Sequence, residues 1–524
     1  MATDDKYDRQ IRLWGPHGQK ALMDAKICVL GSSPCATETL KNLVLPGIGE
    51  FSIIDSERVE LADLGNNFFF EESDLGKPRA EAACQRLLEM NPDVQGNHMM
   101  KDSAVAIEEG ANFFRPFSLV VGCQLSERRS AQLAAICQAL DIPVVFVTSL
   151  GFVGKVRIFA AEHCVIESKP DSEFGDLRLA EPFPELRRFA DAMDFAGMDD
   201  VQHCHAPYVV ILIRALDTFR REKGDAKSLP STKAEKDSFR AIINRMQRKP
   251  EELNFKEAQD NAYKAWVPYA LPEGVQKVLE GIAQTPNGKS DFWVLVRAVS
   301  QFVRDCGKLP LAGTLPDMTA NTDTFVKLQE IYSSRAGGDC AAITAHIAAI
   351  QKELGMERPI PPDYIKRFCQ NAQYLEAFRY RSLEEEFRPC SPEDGGLDLA
   401  CECNDEDSLV QWYIALRSAD RFREERGHLP GATCADGATE ADVAALTQVA
   451  AKVVESYKAE GVTADVRHLE EVVRYGGAEL HITSSVLGGV AAQEAVKLLT
   501  KQYSPLCNTL LYDGLNGKMQ VLEV

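Results

Sequence analysis

Residues 26–55 begin a nucleotide-binding site and then spoil it. Ile27-Cys28-Val29-Leu30 is a short apolar run, Gly31 follows, a segment of helical periodicity comes next, and Phe51-Ser52-Ile53-Ile54 ends at Asp55. Strand, turn, helix and strand, closed by an acid, is how a doubly wound nucleotide-binding sheet opens, with the helix N-terminus facing phosphate. Such a turn needs a first glycine for its tightness, a second for close approach to phosphate and a small third residue for packing. Here the three positions are Gly31, Ser33 and Ala36. The Ser33 side chain obstructs the approach, and Pro34 removes an N–H that would have pointed at an anion. The fold signal is strong and the phosphate signal is poor, so the fold is expected to serve something other than binding its own nucleotide.

The alternation continues beyond Asp55. Ala80, Ala83, Cys84, Leu87 and Leu88 mark a helix over 78–90 that Asn91-Pro92 stops. Leu119-Val120-Val121 and Val144 to Val147 read as buried strands on either side of a helix at 131–140, and 153–159 alternates as an antiparallel strand would. From about 170 the pattern turns helical: 208–221, 239–246, 293–304, 341–354, 364–387, 410–423 and 440–458. Phe219, Phe302 and Phe422 each precede a glycine by five residues, Gly224, Gly307 and Gly427, which suits a left-handed residue just past a helix end. Residues 391–408 read as an acidic, turn-rich loop. Ser484-Ser485 can cap a final helix, and 508–512 and 518–524 read as strands around a hairpin turn. The expected fold class is α/β: a doubly wound sheet domain over 1–169, a mainly helical insertion over 170–480, and a return to the sheet domain over 481–524.

A chain of 524 residues is too long for one ordinary core. With 58 basic against 78 acidic side chains, its net charge of −20 argues against a general nucleic-acid binder and favours protein partners. No apolar run reaches the ~18–20 residues of a membrane span, and the acidic N-terminus shows no leader. Fifteen scattered cysteines without a C-x-x-C pair suit a reducing compartment, so a cytoplasmic and also a nuclear location is expected. Cys401-Glu402-Cys403 and His203-Cys204-His205 are the local clusters, and neither has a second ligand pair at zinc spacing. No metal is expected.

Four pieces carry a family resemblance: Tyr7-Asp8-Arg9-Gln10-Ile11-Arg12-Leu13-Trp14-Gly15, the stretch from Leu40 to Gly49 ending Leu45-Pro46-Gly47-Ile48-Gly49, Ile53-Ile54-Asp55, and Gly488-Gly489-Val490-Ala491-Ala492-Gln493-Glu494-Ala495-Val496-Lys497. In this order they resemble the ubiquitin-activating superfamily, whose Rossmann-like adenylation domains descend from bacterial molybdopterin and thiamine biosynthesis adenylyltransferases. Gly65-Asn66-Asn67-Phe68-Phe69, Pro182-Phe183-Pro184-Glu185-Leu186 and the length are most similar to the regulatory, catalytically degenerate branch of the neddylation-activating heterodimers. The small subunit of the sumoylation-activating dimer shares the first motif without most of the insertion.

The resemblance implies an adenylation-type site whose parts are missing here. The family's phosphate arginine falls on Asn66, its lysine on Arg79, and the stretch after Val121 that should bear a magnesium aspartate reads Gly122-Cys123-Gln124-Leu125-Ser126. Gly31, Ser33, Asp55, Asn66, Arg79 and Gln124 therefore outline a degenerate nucleotide site, with Asp55 either a remaining ribose-type ligand or an ordinary strand end. No catalytic residue in cis is expected: no cysteine has the context of the family's thioester cysteine, and Cys390, between prolines, is read as a loop residue. The resemblance further implies that Arg9, with Arg12 as the second candidate, reaches ATP held with magnesium in a catalytic partner subunit. The implied partners are that subunit, a ubiquitin-like modifier and, indirectly, a conjugating enzyme, with no nucleic acid and no membrane. Apolar residues at 40–45 and 484–499 suit either a dimer contact or the chain's own core. A free-standing adenylyltransferase or oxidoreductase and a non-enzymatic protein-binding scaffold are the competing readings.

Overall fold

The structure of the protein is a computed structural model that describes residues 6–168, 175–285, 288–388, 397–432, 438–459 and 461–524. The chain divides into two compact units, Met1–His163 with Ala377–Val524, and Cys164–Glu376. The first unit begins with helix α1 (Asp8–Met23), which is kinked where Gly15 precedes Pro16. It continues through β1 (Lys26–Leu30), α2 (Pro34–Val44), β2 (Glu50–Ile54), a short helix Leu61–Asn66, α3 (Arg79–Met90), β3 (Gln95–Met99), β4 (Leu119–Cys123), α4 (Glu127–Leu140), β5 (Val144–Leu150) and β6 (Val153–Phe159). Strands β1, β2, β4 and β5 are apolar runs buried on both faces, as parallel strands between helices must be. β3 carries Gln, Asn and His because it is the edge strand and mostly exposed, which is why no apolar signal marks it.

The second unit is mainly helical. Its principal helices are α5 (Pro184–Ala192), α6 (Tyr208–Lys223), α7 (Lys233–Met246), α8 (Asp291–Cys306) and α9 (Thr322–Glu353). Leu186, Ile211, Phe219, Phe239, Phe255, Trp266, Leu328 and Tyr332 form one core inside this unit. Helix α9 starts well before the expected 341: Ser333, Ser334, Gly337 and Gly338 interrupt its apolar period, yet a Cβ at either glycine would meet nothing, so the helix runs through them. The helix expected over 364–387 is instead four elements, a helix Pro362–Gln370, a single 3-10 turn Ala372–Tyr374, a strand Glu376–Phe378 and a helix Leu383–Phe387. The Asn371 backbone leaves the helical region and ends the first.

The first unit resumes at Ala377 and, past the helix Leu383–Phe387, continues through a helix at Leu399–Asn404, then α10 (Val410–Arg426), α11 (Ala438–Ser456), α12 (Val466–Tyr475), α13 (His481–Thr500), β7 (Thr509–Asp513) and β8 (Lys518–Leu522). The expected loop at 391–408 therefore contains a helix, capped by the Asp398 carboxylate accepting from Cys401 N–H; residues 391–396 lie outside the described part. Helix α13 begins three residues before Ser484, which is buried inside it rather than capping it. By packing, the return to the sheet-bearing unit comes at Ala377 rather than at 481, because α10, α11 and α12 share a core of Tyr413, Ile414, Phe422, Val453 and Val473 with Leu150, Val153 and Leu511 of the sheet. Gly224, Gly307 and Gly427 end α6, α8 and α10 with φ of 72°, 72° and 81°, as the Phe-to-Gly spacing predicts.

The sheet order is β8-β7-β6-β5-β4-β1-β2-β3. β5, β4, β1, β2 and β3 are mutually parallel, and β6, β7 and β8 add antiparallel pairs. The winding direction reverses between β1 and β4, so the crevice at their carboxyl ends is where a doubly wound sheet offers a ligand site. Helix α13 crosses α2 closely: a Cβ on Gly488 would lie 2.7 Å from Cβ of Glu38. Leu40, Leu43, Leu487, Ala491 and Leu498 all lie in this core, so the apolar residues of both segments build the chain's interior and Leu45 alone among those leucines is exposed. No described helix is long and apolar enough to cross a membrane.

Candidate functional site

The loops after β1, β2 and β4 meet in the crevice. Gly31 turns the chain with φ of 96° and hands its N–H to the Ile54 carbonyl at 2.8 Å. Ser32 then donates both its N–H, at 2.9 Å, and its hydroxyl to one oxygen of Asp55, whose other oxygen accepts the Glu57 N–H at 2.8 Å. Arg79 completes the set: it reaches Asp55 at 3.0 Å, Glu57 at 2.7 Å and Asp63 at 3.3 Å. Burial opposes the guanidinium charge, but these three carboxylates outweigh it and raise the Arg79 pKa. Asp55 is only 4% exposed. Of the two readings of Asp55, the geometry favours an internal anchor, since its oxygens already hold two backbone N–H groups, a hydroxyl and a guanidinium.

The phosphate side of the crevice is committed in the same way. Ser33 precedes α2 without capping it, its hydroxyl buried and unbonded, and Pro34 is the first helical residue. The Asn66 amide turns away to the Glu479 carbonyl at 3.3 Å. Its neighbour Asn67, buried at 3% exposure, donates to the Ser32 carbonyl and accepts from the Thr37 hydroxyl and the Phe69 N–H. Gln124 takes a left-handed φ of 55°, donates its amide to the Ser149 carbonyl at 2.7 Å and gives its own carbonyl to Arg423 at 2.9 Å. The structure thus brings Gly31, Ser33, Asp55, Asn66, Arg79 and Gln124 around one crevice. ATP with magnesium does not fit these residues: the Arg79 guanidinium is bound by three acids, and Gln124, Leu125 and Ser126 after β4 offer no carboxylate, Glu127 beyond them being bound by Arg417. Asn67 and Glu479 were missed from sequence. Asn67 was hidden behind the motif position of Asn66, and Glu479 is brought in from the far end of the chain with no local signal.

Arg9 lies apart from this crevice, on α1. Tyr7 is buried and receives the Asn91 amide on its hydroxyl at 3.0 Å; Trp14 is buried and donates to Gln19 at 3.0 Å. These two rings are seven residues apart, so they share the inward side, and Arg9 between them faces solvent. Arg12 is paired with Asp8 at 2.8 Å, whereas Arg9 makes no ion pair among the described residues; Asp5 lies outside them. Near the crevice rim, Leu61, Phe68 and Ile482 are 76%, 74% and 63% exposed, and the Phe68 ring stacks on His481.

The other candidates from sequence are structural. His203 is buried, bonded to Glu252 at 2.6 Å and stacked on Phe255. Among the described residues no group of His, Cys, Asp and Glu could hold a metal ion. Cys390 lies outside the described residues.

A doubly wound sheet of order 3-2-1-4-5, with a crevice where its winding reverses between β1 and β4, defines a Rossmann-like, adenylation-type fold. The chain belongs to the ThiF family, whose model matches residues 7–524. Among its relatives, it is 36% identical to NEDD8-activating enzyme E1 regulatory subunit AXR1 of Arabidopsis thaliana, over 99% of this chain and 96% of that protein. It is 37% identical to the NEDD8-activating enzyme E1 regulatory subunit of Danio rerio over 98% and 97%, and 35% identical to that of Drosophila melanogaster over 99% and 97%.

Proposed function

We propose that this chain is the regulatory half of a two-subunit enzyme that activates a NEDD8-type ubiquitin-like modifier. The catalytic partner binds ATP and magnesium, adenylates the modifier's C-terminal glycine, takes it as a thioester and passes it to a conjugating enzyme. This chain supplies the other half of the adenylation pair, presents Arg9 to the partner's triphosphate, and contributes helical surface beside the modifier. A planar guanidinium suits that task because it clamps oxyanions in a fixed fork. The observation that carries the reading is the contrast between the crevice, where Arg79 is engaged by three carboxylates, and Arg9, which is exposed and makes no ion pair among the described residues. End-to-end similarity to regulatory subunits supports it, as do the exposed Leu61, Phe68 and Ile482, which suit burial against a folded partner. A cytoplasmic and nuclear location fits such a role.

The test is ATP–pyrophosphate exchange by the complex assembled with the catalytic partner. Arg9→Ala should lower exchange on the order of ten-fold or more, the scale of losing one positioned charge donor. Arg12→Ala should change it less than about two-fold, since Arg12 is an exposed residue paired with Asp8. Unchanged exchange in Arg9→Ala rejects the trans role.

A further inference from the structure

Residues Ala478 to His481 lie across the carboxyl ends of the parallel strands. Gly151, just past β5, donates its N–H to the Ala478 carbonyl at 2.8 Å and bridges Glu479 in parallel register. Asn66 holds the Glu479 carbonyl, and His481 meets Glu38 of α2 at 3.2 Å. Pinned on these sides, the Glu479 side chain enters the switch-point crevice, against the Gln124 amide after β4, the Ser33 hydroxyl after β1 and the Cys35 N–H in the first turn of α2. One of its oxygens is fully buried and makes no well-formed hydrogen bond, and the same holds for the Ser33 hydroxyl.

We propose that Glu479 is the permanent occupant of the nucleotide crevice: its carboxyl group takes the place at the α2 N-terminus that a phosphate takes in an open sheet of this type, so the chain closes the site with a residue of its own. An uncapped helix N-terminus has free N–H groups that favour an acceptor. Here the acceptor is tethered, so it competes with a free ligand at high effective concentration. Burial holds the Glu479 carboxyl above its ordinary range, and the contacts from Gln124, the Cys35 N–H and Ser33 offset this only in part. A crevice that resists one buried charge is a poor host for a triphosphate while Glu479 fills it. The inference concerns this crevice alone and stands or falls apart from the role of Arg9.

Cys35 reports on the closure. Its thiol is buried, and burial first, then the Glu479 charge, raise its pKa well above the ordinary value. The experiment is alkylation of the full-length chain with iodoacetamide, mapped by peptide mass, with Cys28 inside β1 as the control for general loosening. Glu479→Ala should speed labelling of Cys35 on the order of ten-fold, since it both opens access and removes the opposing charge, and leave Cys28 unchanged. Glu479→Gln, which fills the same space but carries no charge, should speed labelling of Cys35 clearly less than Glu479→Ala does. Inorganic pyrophosphate should slow Cys35 labelling in Glu479→Ala and have no effect on the wild type. Should Glu479→Ala fail to fold, Glu479→Asp withdraws the carboxyl by one methylene and should give intermediate labelling. The proposal is overturned if Cys35 stays as slow as in the wild type, if Cys35 and Cys28 speed up together, or if pyrophosphate gives the opened variant no protection.

Discussion

At position 47 any side chain would collide with Tyr7. A Cβ there would stand 2.6 Å from the tyrosine ring, on backbone with φ of 85°. That contact, with the Asn91 amide on the Tyr7 hydroxyl, fixes the start of α1 against the loop after α2 and so fixes where Arg9 points. Gly47→Ala should therefore act on Arg9 from a distance. Strain and displacement of a buried ring should cost about 1–3 kcal/mol in a urea melt. In the assembled enzyme, ATP–pyrophosphate exchange should fall in the same direction as in Arg9→Ala, whereas a variant that only lost stability would keep normal exchange once folded. At this scale the sequence identifies residue types but not what they are bonded to. Asp55 and Arg79 stand at family positions and read as ligand remnants. That Arg79 turns back onto Asp55, Glu57 and Asp63 depends on three separate loops meeting, which no local pattern encodes.

Among the elements, α10 shows how the helical stretch is fastened to the sheet. Arg417 of α10 is fully buried, bonds both oxygens of Glu127 at the start of α4, and is ringed by Phe387, Tyr413 and Tyr457 at 4.9–5.7 Å. Arg421 adds a second contact to Glu127 at 3.2 Å. Removing Arg417 leaves a buried carboxylate with half its compensation, so Arg417→Met should cost about 3–5 kcal/mol by chemical denaturation. Burial pushes the Glu127 carboxyl up, but Arg417 and Arg421 outweigh it and hold its pKa below the ordinary 4.5. A depressed folded-state pKa stabilises above the ordinary value and loses that contribution as pH falls through the lower one. The advantage of the wild type over Glu127→Gln should accordingly be full at neutral pH and shrink below about 4.5. Comparison with that variant is needed because the nearby Asp420 carboxyl is raised by burial and contributes with the opposite sign. The parallel strands were legible because burial on both faces makes them continuous apolar runs, and helix ends were legible wherever glycine supplied a left-handed residue. The edge strand β3 was not, because its residues are exposed, nor was the first half of α9, because Ser333, Ser334, Gly337 and Gly338 break the apolar period that Leu328 and Tyr332 begin.

The two compact units differ in how the chain builds them, and this sets what each can do alone. Cys164–Glu376 is continuous, and its core from Leu177 to Tyr332 lies wholly within it. The sheet unit is discontinuous: β6 pairs with β7 from the far end of the chain, α2 packs on α13, and the crevice is closed by Glu479. A fragment ending at His163 would leave the β6 edge unpaired, with Val153 to Phe159 alternating toward solvent, and would strip α2 of its partner helix. Expressed separately, residues 164–376 should unfold in one cooperative transition. Residues 1–163 should be insoluble or bind a hydrophobic dye. Co-expression with 377–524 should restore a soluble sheet unit, since the deficit is missing contacts rather than a missing nucleus. Circular dichroism melts of the separate and co-purified fragments decide the matter. Independent folding of 1–163 would mean that the C-terminal segment is an addition to the sheet rather than part of its core, and would remove the structural reason for Glu479 to reach the crevice at all.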